Sequence, residues 1–248
     1  MLNTKKTQAI VFGSSSIVKS FKELNIYNIV VNDNGDLIPF VDSVVSLGVT
    51  LDNTLSWRLQ VDQMTSKANR VLYGLRFIRS CTSQSLRKRL VESLVVPHLD
   101  YCCVVYSDVS VELSERLQRL SNSGIRYIYG IGRSEHVSPF RKKLHWMLNE
   151  TRTNYFASLI MYRIVRIKEP PILLSLFKPY KTDRPTRGPR KDLDIPKVTT
   201  EWGLQSFQVK YAHFWNSIPP CIRDLPSFSR FKKSVKLHLH NICDKQHN

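Results

Sequence analysis

The chain has 248 residues, enough for one large domain or two small ones, and carries 37 Lys and Arg against 20 Asp and Glu, a formal net charge of +17. Hydrophobic residues at 42% and aromatics at 10% exclude a wholly disordered chain. No run of about 18 apolar residues suggests a membrane span, and the positive field suits a polyanion, with nucleic acid preferred over an anionic membrane surface.

The charge is uneven. Residues 1–57 carry four basic and five acidic side chains, residues 58–170 carry 19 and 9, and residues 171–248 carry 14 and 6. The excess therefore lies after the opening segment. Five cysteines, Cys81, Cys102, Cys103, Cys221 and Cys243, form no C-x-x-C pair. An odd number without metal spacing predicts buried free thiols in a reducing compartment. With no recognisable secretory signal, the expected location is intracellular, nuclear or cytoplasmic.

Residues 8–52 read as a small antiparallel β-meander with no helix of its own. Its runs are Ala9–Phe12, Ile26–Val31, Leu37–Phe40 and Val44–Leu51, with a tight-turn signal at Asn34-Gly35. Val44–Leu51 reads as one strand bent at Gly48. Such a sheet needs a second layer to cover it.

A long helix is expected over about 55–79. Trp57, Val61, Met64, Ala68, Val71, Leu75 and Ile78 recur at steps of four and three, an apolar stripe. Gln63, Lys67, Arg70 and Gly74 form a second stripe beside it, offering cations and a close backbone approach to an anionic partner; a solvated face with a chance glycine is the plainer alternative. A second helix is capped by Ser83, carries Leu86, Leu90 and Leu94 and stops at Pro97. A third begins near Ser110, carries Leu113, Leu117 and Leu120, and ends at Gly130 and Gly132. Ser138-Pro139 reads as a cap before a short basic helix. Another helix covers 151–168 and ends at Pro170-Pro171. Segment 178–200, with Pro179, Pro185, Pro189 and Pro196 among basic residues, reads as a linker or extended arm. Helices return at about 204–217 and 228–241.

Two-metal phosphoryl transfer needs converging carboxylates. The sequence has no Asp-Asp pair; Asp192 and Asp194 lie in the proline-rich arm. No glycine-rich phosphate loop or flanked nucleophile is present. His238, His240, Cys243 and His247 could bind zinc in principle, but read more simply as a frayed terminal helix. Within Arg87-Lys88-Arg89, successive helical residues diverge by about 100°, so two at most share a partner.

Several segments together resemble the reverse transcriptase of jockey-like non-long-terminal-repeat retrotransposons. Leu2-Asn3-Thr4-Lys5-Lys6-Thr7-Gln8 before Ala9-Ile10-Val11-Phe12 is similar to the segment that enters a palm strand. Ser46-Leu47-Gly48-Val49-Thr50-Leu51-Asp52 with Leu55-Ser56-Trp57 resembles the primer grip leading into the thumb. Pro97-His98-Leu99-Asp100-Tyr101 fits a thumb pattern, and Phe214-Trp215-Asn216-Ser217-Ile218-Pro219 with Phe231-Lys232 resembles the tail beyond it.

The resemblance implies an RNA-directed DNA polymerase represented by its C-terminal part: palm remnant, thumb and downstream region. The family's catalytic aspartates lie upstream of these motifs, so the missing palm and fingers of the same polyprotein are expected partners, and no catalysis is expected from this chain alone. Lys6 matches the family's motif lysine. The intact enzyme would use Mg²⁺; no cofactor is expected here. The expected nucleic-acid-binding residues are Leu47 and Gly48 of the grip motif, Lys67, Arg70 and Gly74 of the second stripe, Arg87 and Lys88 of the next helix, and Arg187 and Arg190 of the basic arm, on an RNA–DNA or DNA duplex.

The expected fold class is α+β, mostly α. The expected divisions are a palm remnant at 1–54, a thumb at 55–132, a helical connection at 133–177, a basic linker at 178–200 and a helical tail at 201–248. Two other readings are a stand-alone helical nucleic-acid-binding or adaptor protein without catalysis, and a partner-binding structural protein whose charge serves solubility.

Overall fold

The computed structural model describes residues 7–24, 28–30, 37–180 and 192–245. Lys6, the Asn34-Gly35 turn, Arg187, Arg190 and His247 lie outside them. The fold is α+β and mostly helical, as the periodicities predict. It divides into two compact units. One comprises residues 1–102 with 109–128, the other 103–108 with 129–248.

The first unit opens differently from the expected meander. Helix α1 spans Ser15–Glu23, with the Ser14 hydroxyl accepting from the Ile17 amide at 3.4 Å as its N-cap. Val18 is buried, and Phe21 meets Phe40 edge-on at 5.0 Å. A serine run that reads as a turn is thus a helix start. Four short strands follow as two separate antiparallel hairpins. β1 (Asn28–Val30) pairs with β2 (Leu37–Pro39), and β3 (Ser43–Ser46) pairs with β4 (Val49–Asp52). The run from Ala9 contributes only an isolated parallel bridge to Phe40.

Val44–Leu51 is therefore not one bent strand. It reverses at Leu47-Gly48, both with positive φ (47° and 78°), the handedness that a two-residue hairpin turn requires. Glycine adopts this backbone freely; leucine does not. The Tyr101 hydroxyl donates to the Leu47 carbonyl, and its ring lies 3.5 Å from where a Cβ on Gly48 would sit. The P-x-L-x-Y pattern and the L-G pattern meet at this contact.

The long helix α2 runs Arg58–Phe77. Trp57, Val61, Met64, Ala68 and Leu75 are buried as expected, but Leu72 replaces Val71 in the core and Ile78 is 45% exposed. A strict three-four alternation drifts against the 3.6-residue turn, and by Ile78 the stripe has rotated out of the core. Helix α3 spans Gln84–Leu94 with Ser83 as its N-cap. Its core contact is Val91, continued by Val95, while Leu86 and Leu94 face outward. Pro97 does not end the helical path. It occupies the first turn of a further short helix, α4 (Val96–Asp100), where its missing amide costs nothing. Helix α5 (Val111–Tyr129) buries Leu113, Leu117 and Leu120 as expected, and Gly130 with φ 75° terminates it. A Cβ at Gly124 would lie 3.0 Å from Val91, so α3 and α5 approach closely here.

The second unit contains α6 (Ser138–Leu144), α7 (Asn149–Tyr162) with a π-helical extension Arg163–Ile167, α8 (Pro171–Leu174), α9 (Glu201–Gln205), α10 (Phe207–Ser217), α11 (Pro220–Arg223) and α12 (Phe228–Lys245). Ser138 is the first helical residue of α6; the cap position is Val137, which has no side-chain acceptor for the first amides. The core is aromatic. Tyr162 stacks on Phe231 at 4.4 Å, and Trp215 lies 5.9 Å from Phe231. The Tyr162 hydroxyl donates to the Leu225 carbonyl at 2.7 Å. Trp215, Ile218 and Phe231 are all fully buried. The W-N-x-x-P and F-K pattern is thus read out as packing.

The proline-rich segment is packed at both described ends, contrary to a free arm. Tyr180 donates its amide to Asp192, and Asp194 donates to Lys178. The Asn216 side chain accepts from the Leu193 amide and donates to its carbonyl, each at 2.9 Å. Buried Arg223 pairs with Asp192 at 2.9 Å. Basic and proline-rich composition hides this, because Leu193 is completed by a side chain far along the sequence.

Candidate nucleic-acid interface

The site is built on α2. Its first two turns are held by the hairpin and by α5. Thr50 donates its amide to the Gln60 side chain at 2.8 Å and its hydroxyl to Gln63 at 2.9 Å. Asp52 organises the junction that leads into the helix. Its carboxylate accepts from the Thr54 amide and hydroxyl at 3.0 and 2.7 Å, and from the Ser56 amide and hydroxyl, both at 3.0 Å. Burial alone would raise its pKa, but these four hydrogen bonds outweigh burial and hold it below its ordinary value. Leu55 and Trp57 adopt positive φ in this loop, a conformation the sequence does not announce.

The early charges of α2 are already spent. Arg58 pairs with Glu112 at 2.9 Å, and Asp62 pairs with Arg116. The Arg58 hydrogen bond holds the Glu112 carboxyl below the usual range. Beyond Asp62 the helix changes character. Lys67, Arg70 and Arg76 are exposed and, among the described residues, engage in no ion pair. A Cβ on Gly74 would meet nothing within 4 Å, so no internal contact demands glycine there. At about 100° per residue, Lys67, Arg70 and Gly74 lie within roughly 60° of one another, facing away from Val61, Ala68 and Leu72. Between Asp62 and Glu92 the chain has seven basic residues and no acidic one.

The other expected contacts divide. Leu47 is 89% exposed at the hairpin tip, with Gly48 beside it. Arg87 is half-buried and donates Nε to the Thr82 carbonyl at 3.2 Å, while Lys88 lies 3.9 Å from Glu92. Both are engaged locally, so the structure does not bring them into the free cationic set on α2. The sequence reading missed Tyr73 and Phe77, which are 61% and 70% exposed on the outer face of α2. The available signal was their absence from the apolar stripe.

A further basic residue, Lys210, is half-buried in the second unit. Its ammonium donates to the Ser107 carbonyl, and burial lowers its pKa against the opposing pull of Asp108 and Glu150. Burial likewise pushes the neighbouring Tyr211 phenol up to about 12. Asp192 serves the ion pair with Arg223. Cys103 and Cys243 are buried, whereas Cys81 and Cys221 are exposed, contrary to a uniformly buried set. Among the described residues no group of three or more His, Cys, Asp or Glu is placed to hold a metal ion, and no helix is long and apolar enough to cross a membrane. No protein-family model, curated protein or solved structure matches the chain.

Proposed function

We propose that the chain binds nucleic-acid duplex, an RNA–DNA hybrid or DNA, without sequence preference through the outer face of α2. The role is that of a thumb gripping template and primer in an RNA-directed DNA polymerase of the non-long-terminal-repeat kind, in an intracellular compartment. The carrying observation is the face on which Lys67 and Arg70, exposed and without ion pairs among the described residues, flank Gly74, where a Cβ would meet open space. Cations positioned by a rigid helix contact phosphates, and an absent side chain lets the backbone come near a groove. Leu47 and Gly48 at the hairpin tip extend the surface. Binding is the whole of the role; no residue here is assigned a chemical step.

Fluorescence anisotropy of a labelled RNA–DNA hybrid over a salt series tests this. Lys67→Ala and Arg70→Ala should each lower the slope of log K against log salt by roughly one unit. Lys19→Ala, on α1, serves as the control. Gly74→Ala should raise helix stability by about 1 kcal/mol while weakening binding, a split that a merely structural glycine would not produce. Slopes identical in all variants would refute α2 as the duplex face.

A further inference from the structure

Resting on the reading of α2 as a nucleic-acid face, we propose that Tyr73 and Phe77 form a stacking platform for unpaired bases, so that the surface recognises a junction between duplex and single strand. Their rings are 5.1 Å apart and nearly perpendicular (85°) on consecutive turns, and each is more than half exposed. Neither ring belongs to the core of α2, which Val61, Met64, Ala68, Leu72 and Leu75 supply from the opposite side.

An isolated exposed ring is ordinary. Two rings in contact on a helix face whose charged neighbours are all cationic form a different surface. A protein partner seated there would need to answer Lys67, Arg70 and Arg76 with acidic groups, whereas a nucleic acid brings both the phosphates and the aromatic faces. Within a duplex those faces are hidden, leaving only phosphates and groove edges for contact. Exposed aromatic rings therefore gain chiefly from bases that have left the duplex, and they do so for any base. Lys67 and Phe77 are separated by about 15 Å along the helix axis, roughly four base steps at 3.4 Å each. Lys67 and Arg70 toward one end, and the rings with Arg76 between them toward the other, match a strand that passes from paired to unpaired while its phosphates stay in reach of a cation.

The test uses the full chain and two labelled RNA–DNA hybrids, one blunt and one carrying a single-stranded overhang. The parent should prefer the overhang substrate by about tenfold, the scale of stacking one base on an aromatic side chain. Tyr73→Ala and Phe77→Ala should each reduce that preference and leave blunt-duplex binding and its salt slope unchanged. Tyr73→Phe should retain the preference. A 2-aminopurine at the first unpaired position should be quenched by the parent and not by the Tyr73→Ala, Phe77→Ala double variant. Lys67→Ala should weaken both substrates alike. Equal affinity of the parent for both hybrids, or a preference that survives the double variant, would overturn the stacking platform while leaving duplex binding by α2 intact. Failure of the parent to bind either hybrid would overturn both, and would leave the rings as a protein-docking surface.

Discussion

Replacing Asp52 by alanine removes the carboxylate that accepts four hydrogen bonds between β4 and α2. A hydrogen bond to a charged group contributes roughly 1.5–3 kcal/mol. The four share one acceptor, so they do not add, and the Ser56 donors are exposed enough to find water. A net loss of about 3 kcal/mol follows, equivalent to a fall in Tm of roughly 6–12 °C for a chain of this length. The pH dependence gives a sharper signature. Because the folded-state pKa is depressed, the carboxylate stabilises the fold fully above the unfolded value and loses that contribution as the pH falls through the folded value. The gap in Tm between parent and Asp52→Ala should be widest above about pH 5 and close as the pH drops below the ordinary value of 3.8. Thermal unfolding followed by circular dichroism from pH 7 to pH 3 measures it. A gap that stays constant across that range would refute the carboxylate's role and leave only the loss of a side chain.

Two other outcomes test the packing around the motifs. Tyr101→Phe should cost about 1 kcal/mol in chemical denaturation, the value of one hydrogen bond to the Leu47 carbonyl, while the ring stays against Gly48; an unchanged midpoint would remove Tyr101 as the support of that turn. Asn216→Ala should cost about 2 kcal/mol and accelerate tryptic cleavage after Lys197, because Leu193 loses both of its hydrogen bonds to that side chain. Cleavage at the parental rate would show that the segment is held by other means.

The long helices were legible because their apolar spacing is sustained over several turns, as at Leu113, Leu117 and Leu120. Helix α1 was not, because its nine residues bury only Val18 and begin in a run of serines that also signals a turn. The Leu47-Gly48 reversal lacks the usual Asn-Gly signature. Its leucine is tolerated through a contact with Tyr101, 54 residues away, and no local window contains that information. For the site, spacing alone placed Lys67, Arg70 and Gly74 on one face. Arg87 was misread because its guanidinium turns back onto its own helix start. The exposure of Tyr73 and Phe77 depends on which side of α2 is packed, a fact set by Gln60, Leu72 and their partners rather than by the rings themselves.

The short segment 103–108 lies between α4 and α5 in the chain yet belongs to the second unit, where Val104 and Tyr106 are buried and the Ser107 carbonyl receives Lys210. The polypeptide therefore passes from one unit to the other, back again, and over once more. No single cut yields two intact halves. A piece starting at residue 129 forfeits the buried side chains of Cys103, Val104 and Tyr106 and the acceptor of the half-buried Lys210 ammonium, while one ending at residue 102 forfeits α5. On the ribosome, the first unit cannot close until α5 has emerged, with six residues already committed to a body that does not yet exist. Dissection of this protein is better done by substitution than by truncation.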